Sequence, residues 1–412
     1  MRNEPLVANP IPPDTRPYRG LLAFEPEDRR FFFGRGELEQ ELVERVRAGK
    51  AGGRPRFQVV AGASGSGKSS LVLAGLVPLL REDAHAAWDV RVMQPSEAGA
   101  WRTLAEAEGP GRFSSLGRLR SLLYELHLQG EAPGTRAATG EEVLEEARRL
   151  RSAQPERWLL LVVDQLEEVF TQVSTLQERE AFVRTLWSLA HTGELRVLVV
   201  ATLRVDALGR CEHVRVDHQG PQLEAVVYSA AHRLFVGPPR AEQLADVIEG
   251  PARVVGLELE PGLVEALRRD VEQEPGALPL LEHALDQLWE RREGSRLTQA
   301  AYEAIGGVAG AIARTGDRLY DELPEAERHQ ARRLLVKLVD LREETSPHTR
   351  RREWLRKVRP EQEASAAAFD SVVDKLVKRR LVVKGADRDT EGRPPETWLQ
   401  IAHEALIRRW DK

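Results

Sequence analysis

The chain has 412 residues, a formal net charge of −5 and one cysteine, Cys211. That length holds two or three domains with cores of their own, the mild acidity gives no electrostatic case for an obligate nucleic-acid partner, and a single cysteine excludes a disulfide framework and fits a reducing cytoplasm. No apolar signal segment follows Met1, and the most apolar stretch, residues 71–80, is too short to span a bilayer.

In chain order, residues 1–17 are Pro-rich and aperiodic and read as a flexible leader. Short β-prone runs at 57–61, 89–93, 158–163, 195–202 and 232–236 alternate with helical patterns such as 37–47 and 179–190, which predicts a parallel sheet covered on both faces. Residues 94–155 are more polar and contain glycines. After Pro238-Pro239 the strand signal stops. Helical patterns follow at 240–254, 261–272, 278–292, 298–305 and 308–322, punctuated by Gly256, Pro261, Pro275-Gly276 and Gly306-Gly307. A helix over 325–341, a basic segment, a helix over 364–378 and short strands at 381–384 and 398–402, joined by a polar loop at 385–396, predict a winged helix. The expected organisation is a leader (1–17), a P-loop nucleotide-binding domain (18–237), a helical domain (238–323) and a winged-helix domain (324–412).

Residues 57–70 carry the chemistry. A strand leads into Gly62-Ala63-Ser64-Gly65-Ser66-Gly67-Lys68-Ser69-Ser70, and a helix begins at Leu71-Val72-Leu73. This spacing is that of a P-loop: glycines let backbone N–H groups surround a β-phosphate, Lys68 places positive charge on the β- and γ-phosphates, Ser69 offers a hydroxyl to Mg²⁺, and the helix N-terminus favours the same anion. The apolar run 158–163 ends in Asp164, an acid at the carboxyl end of a buried strand and the expected second Mg²⁺ ligand. Glu167 or Glu168, just beyond it, is the candidate to orient or deprotonate a hydrolytic water, with Glu168 preferred. About 95 residues separate the P-loop from Asp164, room for an additional central strand between their two strands. At the tip of the 195–202 run, Thr202 and Arg204 are candidate γ-phosphate sensors.

This set of motifs resembles the STAND class of signalling NTPases, above all the bacterial novel STAND modules, and is related in layout to the NACHT and NB-ARC ATPases. The resemblance rests on Arg16-Pro17-Tyr18-Arg19-Gly20-Leu21 with Phe32-Phe33-Gly34-Arg35, on the P-loop, on Asp164-Gln165-Leu166-Glu167-Glu168, on Thr202-Leu203-Arg204 and on Gly276-Ala277-Leu278-Pro279-Leu280-Leu281. It implies that Gly34 and Arg35 lie near the adenine and that Pro279 packs against it. Near the end of the chain, Ala402-His403-Glu404 is similar to the Met-His-Asp motif of those proteins, in which the histidine reaches the β-phosphate of ADP; His403 is the matching position, while Ala402 and Glu404 depart from the pattern.

The function expected is an ATP/ADP-switched regulatory core with Mg²⁺, held closed by ADP and opening or oligomerising on a signal, in bacterial defence or cell-death signalling. Hydrolysis would be slow, and the sensor and effector modules would lie outside this sequence. The alternative is an AAA+-like ATPase that binds DNA through its winged helix, using basic residues such as Arg350, Arg351, Arg352, Lys375, Lys378 and Arg379; the competing reading of those residues is a solvated face. A transport ATPase is disfavoured, since neither its signature motif nor a membrane segment is found.

Overall fold

The structure, a computed structural model, describes residues 15–82, 88–95, 114–127, 137–172, 175–217, 219–272, 278–340, 349–351, 353–379, 381–387, 396–402, 406–407 and 410. Five parallel strands form the central sheet: β1 (Phe57–Gly62), β2 (Trp88–Met93), β3 (Trp158–Val163), β4 (Val197–Arg204) and β5 (Arg233–Val236), in the order β2-β3-β4-β1-β5. β1 and β3 are buried along their whole length, as expected for strands covered on both faces. Their alternate residues divide between two cores: Val59, Ala61, Leu159 and Leu161 enter one, Val60, Leu160 and Val162 the other.

α1 (Gly36–Lys50) and α2, the helix over 68–81, cover the second of those faces. α2 runs as Lys68–Ser70, a π-helical stretch Leu71–Leu76, then Val77–Arg81. The other face is covered by α3 (Ser114–His127), α4 (Gly140–Ala153) and α5 (Leu176–His191). The polar composition of 94–155 conceals α3 and α4. Only Thr139-x-x-Glu142 announces the start of α4: Thr139 Oγ1 accepts from Glu142 N at 3.2 Å, and a Glu142 carboxylate oxygen accepts from Thr139 N at 2.8 Å.

The additional central strand is present. It is β4, which follows Asp164 in sequence and inserts between β1 and β3, while β2, drawn from the interval between the P-loop and Asp164, takes the sheet edge.

Beyond β5 the chain is helical: α6 (Ala241–Val254), α7 (Leu263–Glu272), α8 (Leu278–Glu290), α9 (Gln299–Ile305) and α10 (Gly307–Glu322). α11 (Glu325–Lys337) stops before residue 341, because Val339–Asp340 pairs with Thr349–Arg350. α12 (Glu363–Lys378) packs on α11, and β6 (Glu353–Trp354), β7 (Val382–Asp387) and β8 (Glu396–Ile401) form an antiparallel sheet in the order β6-β8-β7. β6 lies within the basic segment and has no apolar pattern to reveal it. One continuous apolar core runs from Leu244 to Leu406 and takes in Tyr18 from the entry segment, so helical and C-terminal parts are not separate hydrophobic bodies.

The entry segment straps these parts together. Arg16 pairs with Asp286 at 3.3 Å and with Glu290 on α8, and its guanidinium lies 5.0 Å from the Trp289 ring centre. The expectation of a leader through residue 17 thus ends short of Arg16; residues 1–14 lie outside the described ones. Tyr18 is buried and donates its hydroxyl to Ile248 O at 2.8 Å. Gly34 has φ of +74°, and a Cβ there would lie 2.4 Å from Gln243 O on α6. Gly34→Ala is expected to destabilise the protein by more than about 1 kcal/mol, from left-handed strain plus that clash, and to lower the thermal midpoint in calorimetry.

Several basic residues of the C-terminal part are already paired: Arg359 with Asp370 at 2.6 Å, Lys375 with Glu327 at 2.5 Å and Arg379 with Glu322 at 3.6 Å. Arg352 lies outside the described residues. No helix among the described residues is long and apolar enough to cross a membrane.

Candidate nucleotide site

The P-loop joins β1 to α2. Gly62 closes β1, Ser64 is half-buried in the loop and Ser66 is buried. Gly67 caps α2 with φ of +88°, a left-handed conformation that lets the loop turn into the helix. The N–H groups of Gly65 and Gly67 donate to no backbone carbonyl among the described residues. Two orphan donors at the N-terminus of a helix suit a phosphate. Lys68 is buried, and its ammonium donates to Ala63 O at 2.8 Å. Burial pulls its pKa down, while Glu167 and Asp164 favour its charged form and Arg204 opposes it.

The strand order places Asp164 opposite α2. Ser69 Oγ donates to Asp164 Oδ1 at 2.8 Å, so the two oxygens expected to hold Mg²⁺ are adjacent. Among the described residues no group of three or more His, Cys, Asp and Glu side chains forms a metal cage. The donor set still fits Mg²⁺, which takes one or two protein oxygens and completes its shell with phosphate and water.

Thr202 does not stand free at its strand tip. It donates to Asp164 Oδ1 at 2.7 Å and accepts from Gln165 N at 2.7 Å, so it orients the acid. Gln94, at the end of β2, donates to Asp164 Oδ2 at 3.3 Å; no sequence signal marks it. The Arg204 guanidinium pairs with Asp206 through both carboxylate oxygens, at 2.9 and 2.7 Å.

The two glutamates differ in placement. Glu167 accepts from Arg204 N at 3.2 Å and interacts electrostatically with Lys68. Burial raises its pKa to about 7, against the lowering effect of backbone N–H groups, Lys68 and Arg204. Glu168 is buried at the first position of the short helix Glu168–Gln172.

A cavity of about 210 Å³ opens beside Lys68, Ser69 and Ser70. Its apolar lining includes Leu21, Phe24, Phe32, Val247, Leu278 and Pro279. These come from the entry segment, the turn before α1, and helices α6 and α8, so four parts of the chain meet the P-loop at one site. Arg35 also lines it, but its guanidinium is spent on scaffolding: it donates to Ser66 O at 2.9 Å and Gly237 O at 3.2 Å, and burial lowers its pKa to about 10. Gly34 faces α6 rather than the cavity. Ser70 lines the cavity and accepts from Phe24 N at 3.1 Å, tying the entry segment to the P-loop helix. Residues 273–277 and His403 lie outside the described residues, so of the Gly276–Leu281 motif only Leu278 onward is placed.

A five-stranded parallel sheet with β4 between the P-loop strand and the acid-bearing strand defines a P-loop NTPase of the additional-strand type. The novel STAND NTPase 1 family model matches residues 17–412, and the chain belongs to that family. No curated protein matches it. Among solved structures it is similar to the ORC1 protein of Aeropyrum pernix in complex with DNA (16% identity, 92% of each chain covered, TM-score 0.47). It is also similar to a Walker-type ATPase of Pyrococcus abyssi (14% identity, 94% of this chain and 97% of that one, TM-score 0.45). A third is the RuvB Holliday junction branch migration motor of Thermotoga maritima (11% identity, 95% and 99%, TM-score 0.36).

Proposed function

We propose that this chain is an ATP/ADP-switched regulatory NTPase core acting in the cytoplasm, with Mg²⁺ held by Ser69 and Asp164. The observation that carries the proposal is the cavity shared by the P-loop, the entry segment and α8. A nucleotide seated there touches parts that separate if the protein opens. It therefore stabilises the closed arrangement by its differential affinity for it. Moving such an equilibrium from 1:99 to 99:1 takes roughly 10⁴-fold differential binding, about 5.5 kcal/mol. Nucleotide exchange together with a signal from a sensor module supplies that difference, opening or oligomerising the core in defence or cell-death signalling.

Within this reading Glu167, rather than Glu168, positions the hydrolytic water, because its carboxylate shares the electrostatic surroundings of Lys68. Slow turnover suits a switch that hydrolysis resets. The C-terminal unit of α11, α12 and the β6-β8-β7 sheet is read as a winged helix that brings His403 to the ADP β-phosphate. The test is small-angle scattering with ADP and without nucleotide: a smaller radius of gyration with ADP is expected, and equal radii contradict the closed-by-ADP account.

For His403→Ala, loss of one hydrogen bond to a charged group, roughly 1.5–3 kcal/mol, should speed release of a fluorescent ADP by about 10- to 100-fold. Unchanged release would remove His403 from the latch.

A further inference from the structure

β4 ends at Arg204, which stands in register with Gly62, the residue that closes the P-loop strand. The backbone here is tied to the site: Arg204 N donates to Glu167 Oε2 at 3.2 Å. The side chain is held by a different carboxylate. Asp206 lies in the first turn of the 3₁₀ helix Val205–His213 and takes the guanidinium in a two-pronged pair, Nε to Oδ1 at 2.9 Å and Nη2 to Oδ2 at 2.7 Å. Both charges reach the P-loop, since Lys68 lies in the fields of Arg204 and Asp206 as well as those of Glu167 and Asp164. Burial pushes the Asp206 carboxyl up, but its hydrogen bonds and the charges of Arg204 and Lys68 outweigh that and hold it below its ordinary value, so it is ionised at neutral pH.

A pair two residues apart at a strand end is ordinary on a protein surface; its place in this fold is not. A carboxylate and a terminal phosphate present the same two-oxygen edge to a guanidinium. Here the carboxylate already occupies the arginine that stands across from the P-loop strand. We propose that Asp206 sets the preference of the site between nucleoside diphosphate and triphosphate, by holding the Arg204 guanidinium that a γ-phosphate would otherwise take. This rests on the nucleotide-site reading above, in which Lys68 marks the β- and γ-phosphates. A diphosphate leaves the Arg204–Asp206 pair intact. A triphosphate gains Arg204 only by breaking that pair, and it brings its added negative charge up to Asp206. Both effects favour ADP over ATP. The Asp206 side chain is 63% exposed, so water takes over the released carboxylate. The pair therefore biases the site and does not block it.

The experiment is displacement of a fluorescent ADP from the full chain, with Mg²⁺, by ADP and by a non-hydrolysable ATP analogue with a β,γ-imido bridge. Asp206→Asn keeps the side-chain size and removes the charge. It should raise the ratio of triphosphate to diphosphate affinity by about 3- to 10-fold, through tighter triphosphate, which is the scale of an exposed two-pronged pair plus repulsion. Arg204→Gln should lower the ratio, because the cation itself is lost. In the Arg204→Gln background Asp206→Asn should then add less than about twofold, since the two residues act as one unit. An unchanged ratio in Asp206→Asn overturns the proposal. So does a lowered ratio, which would make Asp206 a support that aims Arg204 at the phosphate. An equal gain with and without Arg204 also overturns it, because the carboxylate would then act by repulsion without holding the guanidinium. Failure of wild type to bind either nucleotide overturns the site reading beneath it.

Discussion

Lys68→Ala is expected to lose ATP and ADP binding by at least about 100-fold in calorimetry. In the proposed site the lysine donates to two phosphates, and each hydrogen bond to a charged group contributes about 1.5–3 kcal/mol, so two account for that factor at 1.4 kcal/mol per decade. Desolvation has already been met in the folded protein, where the ammonium is buried against Ala63 O with Glu167 and Asp164 nearby. Lys68→Arg keeps the charge but replaces a compact ammonium with a broad planar fork, and is expected to restore little. Circular dichroism on both variants separates a lost contact from a lost fold. Unchanged ATP affinity in Lys68→Ala would contradict the phosphate site.

Glu167→Gln is expected to lower ATP turnover by about 10²- to 10⁴-fold, the usual contribution of a positioned acid or base, with nucleotide affinity retained. The pH dependence follows from the pKa, raised by burial to about 7. Below that value the carboxyl is protonated and cannot accept a proton from water. Wild-type turnover should therefore climb from pH 6 to pH 8 and then level off, whereas the variant stays low and flat. Glu168→Gln is the paired variant and should retain most turnover. A larger loss in Glu168→Gln than in Glu167→Gln would reverse the assignment, in favour of the residue the sequence alone preferred.

The sequence leaves the two glutamates open for a physical reason. Both follow the strand, and one-dimensional spacing carries no information on which carboxylate lies in the field of Lys68. The five sheet strands were legible because they are short, apolar and bounded by turns, and the P-loop was legible because its glycines and lysine have one common use. α3 and α4 were obscured by charged residues that line their outer faces. β6 was invisible because two residues, Glu353 and Trp354, have no periodicity. Thr202 read as a phosphate sensor because strand tips expose polar groups; here β4 lies directly beside β3, and the hydroxyl reaches Asp164 instead. Arg35 read as a base neighbour, and it does line the cavity, yet its guanidinium braces Ser66 and Gly237. Gln94 carries no motif. It matters because β2 ends beside Asp164.

The most direct test of the switch is to purify the full chain without added nucleotide, denature it, and identify what is released by anion-exchange chromatography. The account predicts ADP, close to one per chain, and none from Lys68→Ala. Release of no nucleotide from wild type, together with no binding of added ADP or ATP, would contradict it.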